Sequence, residues 1–372
     1  MAKANGNPDL GKRDTLKGIA SAISVASVPS LFPMPAIAQT KKMKYTLSWL
    51  PTGQYAFVYM ARQLGYWKKR GLDVEITRGY GSLAAIQGVA TSQFDIGGAA
   101  ASANLLGILK GLDIWMLSTQ GYDSFMGILV PGNGPIKTPK DLEGKKIGVT
   151  AAGGDTPFLP AYYKIVGIDP SKITTVSLDS QIIEQSVISG VVDCMVAFGM
   201  SSIPNFVTQN FPVRLMSFKD VGLVFYWVNT IVRSELAKKE PKLVTDLTEG
   251  LFEGFKFTML NPEETIERHL KEHPEIAATP NGRLFTELGV GMVIVSAISE
   301  ESERHSLGYS DLGKVGKMAD LVKEYTAPDA KGPPPVETYC SNKFIGNVTL
   351  TPAEWTKVKE NSAKYAKMLG SA

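Results

Sequence analysis

The chain has 372 residues, 44% of them hydrophobic and 20% charged, with a formal net charge of +3. That length exceeds what one hydrophobic core ordinarily organises, so two lobes are expected, with apolar material for both. Two of the three net charges arise in residues 1–38, where Lys3, Lys12, Arg13 and Lys17 face only Asp9 and Asp14. The remainder is nearly neutral and has no Lys/Arg-rich tract to follow a phosphate backbone, which excludes nucleic acid as a partner.

The first element is an export signal. A basic segment, Gly11-Lys12-Arg13-Asp14-Thr15-Leu16-Lys17, precedes a modest apolar run from Ile19, and Ala36-Ile37-Ala38 supplies the small residues of a cleavage site before Gln39. Residues 1–38 are therefore predicted to be removed, leaving a periplasmic protein. Lys12 stands where a twin-arginine signal has its first Arg, so Tat and Sec export both remain open. Pro29, Pro33 and Pro35 interrupt the run, whereas a membrane span needs roughly 20 unbroken apolar residues.

Strands and helices then alternate. Strands are predicted at Thr46–Leu50, Asp73–Ile76, Phe94–Ile96, Ile114–Ser118 and Phe125–Val130, with helices at Tyr55–Leu64, Ser82–Thr91 and Ala100–Leu109 between them. A second set has strands at Lys146–Val149, Ile173–Val176, Asp193–Ala197 and Val213–Ser217, with helices at Thr156–Val166 and Glu184–Ser189. From Ser234 onward the pattern is helical (Lys242–Leu260, Glu263–Lys271, Leu284–Ile298, Asp311–Glu324, Pro352–Met368), punctuated by the Pro- and Gly-rich link Ala327–Pro335. Such alternation builds mainly parallel sheets flanked by helices, and their ligands bind beyond the strands' carboxyl ends.

Four segments carry a family likeness. They are Gly65-Tyr66-Trp67 through Gly71-Leu72-Asp73-Val74-Glu75, QFDIGGAAASANLLGILKGLDI (Gln93–Ile114), IKTPKDLEGKKIGV (Ile136–Val149) and the weaker ISGVVDCMVAF (Ile188–Phe198). In this order they resemble periplasmic solute-binding proteins of ABC importers, in the branch that takes thiamine pyrimidine precursors, aliphatic sulfonates and taurine. The resemblance implies a type II-like two-lobe α/β fold with a helical C-terminal extension. Residues 39–130 and 223–372 would form lobe one and residues 131–222 lobe two, with hinges at Phe125–Val130 and Leu223–Val232. It implies a small-molecule ligand and a membrane permease as partners, a monomer, no cofactor and no catalysis.

Candidate ligand residues follow from strand-end logic. Trp49, Thr52 and Gln54 lie after the first strand. Gly-containing loops place Arg78, Gly81 and Ser82, then Gly98 and Ala99, then Gly154, Asp155 and Thr156, where backbone N–H groups and helix dipoles meet a polar group. Aromatic candidates are Trp49, Phe198, Tyr226 and Trp227, and strand alternation points only one of the last two at the cleft. Asp155, and with it Asp123, suits an amine or aminopyrimidine, while Arg78 suits a carboxylate or sulfonate. Each has a plainer reading, Asp155 as a helix N-cap and Arg78 as surface. The expected ligand is a pyrimidine-like heteroaromatic; a small sulfonate is the alternative.

Chemistry within the cleft is the further alternative, because eukaryotic pyrimidine synthases share the implied fold. Those enzymes use a histidine and a Cys-rich motif, whereas this chain offers Cys194 alone and none of its three His near the expected cleft. Cys194 falls in a core strand and Cys340 in a distant polar loop, so one buried and one exposed thiol are expected rather than a disulfide. No metal centre is expected.

Overall fold

A computed structural model describes residues 40–369; the expected export signal lies outside the described residues. The first sheet begins with β1 (Lys41–Thr46), where buried Met43 and Tyr45 alternate with exposed Lys42 and Lys44. Helix α1 (Ala56–Gln63) leads to β2 (Leu72–Thr77), α2 (Ser82–Ala90), β3 (Ile96–Ala100), α3 (Ala101–Leu109) and β4 (Trp115–Thr119). The second sheet holds β5 (Met126–Pro131), β6 (Lys146–Val149), α4 (Leu159–Val166), β7 (Thr174–Ser177), α5 (Ile183–Ile188), β8 (Cys194–Phe198), α6 (Gly199–Thr208) and β9 (Val213–Ser217). The chain then returns to the first sheet as β10 (Val228–Val232).

The two sheets have the same plan. Their orders are β2-β1-β3-β10-β4 and β7-β6-β8-β5-β9. In each, the strand that arrives from the other sheet inserts antiparallel among four mutually parallel ones: β10 in the first, β5 in the second. The chain crosses between sheets at residues 120–125 and 218–227. Phe125–Val130 is thus almost wholly ladder in the second sheet, and the latter half of Leu223–Val232 is β10 itself, so the expected hinge segments lie partly inside the sheets. Phe125 opens the second sheet at φ 47°, a left-handed conformation that disfavours an aromatic residue. It is pinned from both sides: Asp123 Oδ1 accepts its N–H at 2.9 Å, and its carbonyl accepts the Gly199 N–H at 2.8 Å.

Helices follow as α7 (Ser234–Lys239), α8 (Pro241–Leu260), α9 (Pro262–Glu272), α10 (Pro274–Ala277), α11 (Gly282–Ala297), α12 (Glu300–Arg304), α13 (Leu312–Thr326) and α14 (Pro352–Leu369). Helices α8 and α9 pack on α1, burying Phe57 edge-on to Phe255 at 4.8 Å. The C-terminal helices do not belong to one sheet alone. Helices α11 and α14 pack on α6, and α13 packs on both α3 and α4, so they tie the two lobes together.

Three expectations are corrected here. The first strand is Lys41–Thr46 and not Thr46–Leu50: after the last ladder pair, Thr46 with Thr77, the chain turns away through Ser48 to Pro51. Gly97 and Gly98 form no loop. They lie within β3, paired with Ile231 and Thr230, where Thr46 and Val89 leave no room for a Cβ on Gly97. Both cysteines are buried and unpaired, because the loop carrying Cys340 folds down to bridge β4 at Met116. Burial pushes both thiols up to about 12, which makes them inert.

Candidate functional site

The carboxyl ends of the strands in both sheets face one cavity. After β1 come Ser48 and Trp49; a 3-10 turn at Gly53–Tyr55 adds Gln54 and Tyr55; Gly81 and Ser82 open α2, Ala100 ends β3, and Trp227 and Val228 begin β10. The second lobe contributes Thr150, Gly153, Gly154 and Asp155 after β6, Ile183 and Glu184 at the start of α5, Met195 through Phe198 from β8, and Ser201 and Ser202 in the first turn of α6. They bound a narrow cavity of about 50 Å³.

Local chemistry holds this wall in place. Tyr55 stacks on Trp227 with ring centroids 5.9 Å apart, and its hydroxyl is 2.6 Å from Ser48 Oγ. The loop between Ser48 and Gln54 is anchored from behind: His269, fully buried on α9, donates its Nε2–H to the Pro51 carbonyl at 3.0 Å. With Nε2 donating, Nδ1 carries the lone pair and has no partner; burial holds the ring neutral, its pKa lowered to about 3.

The two lobes touch at the rim. Ser102 Oγ donates to the Gly154 carbonyl at 2.9 Å, and the Leu83 N–H reaches the Ala152 carbonyl at 3.3 Å. Between them Gly81 adopts φ 117° and lies so near Ala152 that a Cβ would run into its carbonyl, which makes glycine necessary there.

The ionisable side chains of the cavity are acidic. Asp155 is 6% exposed and caps the following turn: Oδ1 accepts the Thr156 N–H at 2.8 Å. Glu184 is 7% exposed, and its Oε1 accepts from Ser202 Oγ at 2.8 Å. Burial raises the pKa of both above the usual carboxylate range. No Lys, Arg, His or Cys is among the described lining residues.

Of the residues expected from sequence, Trp49, Gln54, Gly81, Ser82, Gly154, Asp155, Phe198 and Trp227 lie on this cavity. The others do not. Thr52 is spent in its own turn, its carbonyl accepting the Tyr55 N–H. Gly98 and Ala99 are committed to the β3 ladder. Thr156 Oγ1 donates to the Thr150 carbonyl, bracing the loop from outside. Arg78 lies 4.4 Å over the exposed Tyr80 ring, so its charge is held at the surface. Asp123 pairs with Lys219 at 2.7 Å at the chain crossings. Tyr226 points the opposite way from Trp227 and donates to Glu301 at 3.1 Å. Asp123, Tyr226 and Glu301 line a larger, more open groove elsewhere, whose Asp123 and Glu301 carboxylates are already paired with Lys219 and Lys314.

Glu184, Ser201 and Ser202 are absent from the sequence-based set. An acid in a helix's first turn reads as a solvated dipole partner, and Glu184 stands well beyond the end of β7 at Ser177, so strand-end logic does not select it. The serines were concealed because Pro204 masks α6 as a helix.

Comparison with known proteins fits this geometry. A family profile described as NMT1/THI5 like matches residues 52–265, more than half of the chain. A 4-amino-5-hydroxymethyl-2-methylpyrimidine phosphate synthase of Saccharomyces cerevisiae, THI11, is 22% identical over 64% of this chain and 73% of its own. The riboflavin-binding protein RibY of Chloroflexus aurantiacus is 24% identical over 86% of this chain and 91% of its own. The alkanesulfonate-binding protein SsuA of Xanthomonas axonopodis pv. citri, bound to MOPS, has the same fold, with a TM-score of 0.61 at 14% identity over 81% of this chain and 98% of its own. Two five-stranded mixed sheets meeting at a shared cleft form a periplasmic-binding-protein fold, and the chain belongs to the NMT1/THI5-like family.

Proposed function

We propose that this protein is the exported solute-binding component of an ABC importer. It closes its lobes on a small nitrogen heteroaromatic, pyrimidine-like in size, and delivers it to a membrane permease. The crossings at residues 120–125 and 218–227 serve as hinges, and residues 1–38 as the export signal. One observation carries the reading: an inter-lobe cavity walled by the indoles of Trp49 and Trp227 holds two buried carboxyl groups and no cationic side chain. Flat rings stack on such indoles, and ring amines donate to carboxylates. The named chemistries of the THI11 and RibY proteins, a pyrimidine and an isoalloxazine, are both nitrogen heteroaromatics. Catalysis is the weaker reading, since Cys194 is buried and inert and no imidazole lines the cavity.

A sulfonate is the second reading, favoured by the SsuA likeness and by three helix starts, at Ser82, Ile183 and Gly199, that open onto the cavity. It would place an anion among Asp155 and Glu184, with Arg78 held outside. Thermal-shift measurements against pyrimidines, riboflavin and alkanesulfonates separate the two. A ligand at about a hundredfold excess over Kd stabilises by about 2.7 kcal/mol, roughly 4 °C in a chain of this size. The proposal expects that shift from a heteroaromatic; a shift from sulfonates alone overturns it.

A further inference from the structure

Asp155 and Glu184 share a feature that stacking alone does not use. Each has one carboxylate oxygen occupied within the protein, by Thr156 or by Ser202. The second oxygen of each makes no hydrogen bond to the described residues, yet neither belongs to the sealed, partnerless atoms of the interior. Both side chains are more than nine-tenths buried and line the cavity, so these free oxygens open onto it. The hydroxyl of Tyr55, the remaining titratable group there, is engaged with Ser48. The cavity therefore presents two free carboxylate oxygens and no counter-charge.

We propose that the solute is captured as a cation: a nitrogen heteroaromatic carrying a protonated amine or amidine, with Asp155 and Glu184 as its counter-charges and Glu184 as the residue that selects for charge. This rests on the reading of the cavity as a heteroaromatic site. An ionised carboxylate left unpaired in a buried site is costly, and a cation brought to it forms a charge-assisted hydrogen bond. A neutral ring brings no counter-charge to either group. Ser202 is a positioning residue, because its hydroxyl fixes Oε1 and leaves Oε2 to the solute.

The test uses two probes that differ in charge, 4-amino-5-aminomethyl-2-methylpyrimidine and its N-formyl derivative, whose amide is neutral. Calorimetry near pH 7 reads the affinity of each. Expected is at least about tenfold tighter binding of the amine, and loss of that preference in Glu184→Gln. Asp155→Asn keeps the cap and weakens the amine more than the formyl probe. Equal or tighter binding of the formyl probe, or an unaltered preference in Glu184→Gln, overturns the inference and leaves the heteroaromatic reading standing. Binding of neither probe nor riboflavin, with an alkanesulfonate bound, overturns that reading itself.

Discussion

His269 should make the fold acid-sensitive. Its ring is fully buried, with Nε2–H donated to Pro51 and Nδ1 without a partner, and its pKa falls from 6.5 in the unfolded chain to about 3. Between those values the unfolded chain binds a proton that the folded protein refuses. The contribution of this site is thus fully present above pH 6.5 and is lost as pH falls, by about 1.4 kcal/mol per unit. From pH 6.5 to 5 that amounts to about 2 kcal/mol, or roughly 3 °C in melting temperature. Asp155 and Glu184 act in the opposite sense, since acids with raised pKa values favour the folded state as pH falls. The wild-type profile alone therefore mixes the two effects, and His269→Gln separates them. Glutamine can still donate to Pro51 and does not titrate. Urea unfolding at pH 7.5, 6 and 5 should show the variant losing about 2 kcal/mol less than wild type across the range. Parallel profiles would refute a buried neutral imidazole at this position.

Other consequences follow from particular contacts. Gly81→Ala places a Cβ against the Ala152 carbonyl in a backbone region reserved for glycine, at a cost of about 1–3 kcal/mol to the closed form; titration should find affinity reduced by tenfold or more, and unchanged affinity would remove Gly81 from the closure. Arg78→Ala should leave binding within about threefold, because its guanidinium rests on Tyr80 at the surface; abolished binding would favour the anion reading. Trp227→Ala removes both a cavity wall and the stacking partner of Tyr55, so it should lower stability by about 3–5 kcal/mol as well as affinity, read by urea unfolding and calorimetry together. A weakened ligand with intact stability would mean the indole is not part of the core.

Much of the architecture could be read from the chain because each lobe repeats strand and helix at ordinary spacings, and buried strands such as Met126–Pro131 and Cys194–Phe198 stand out by their apolar character. The errors have local physical causes. Leu47 to Leu50 is apolar enough to be taken for a strand, yet the pairing partner Leu72–Thr77 has already ended at Thr46. Gly97-Gly98 has turn composition, but there glycine serves close packing of β3 against Thr46 and Val89. In the site, Trp49, Gly81 and Asp155 are legible because they lie in loops after strands, and Trp227 because it stands on the second crossing. It misplaced Arg78 because no sequence rule says that a neighbouring tyrosine will hold the guanidinium outside. It passed over Glu184 because burial, which gives that carboxyl its character, arises only when α5 docks beside α6.

Calorimetric titration of the protein with 4-amino-5-aminomethyl-2-methylpyrimidine, followed by recovery and mass analysis of the pyrimidine, addresses capture and chemistry in one experiment. A binding protein with this cavity is predicted to take up one equivalent and return it unaltered after denaturation. Failure to bind that pyrimidine or riboflavin, or recovery of a chemically changed ring, would contradict a heteroaromatic solute-binding function.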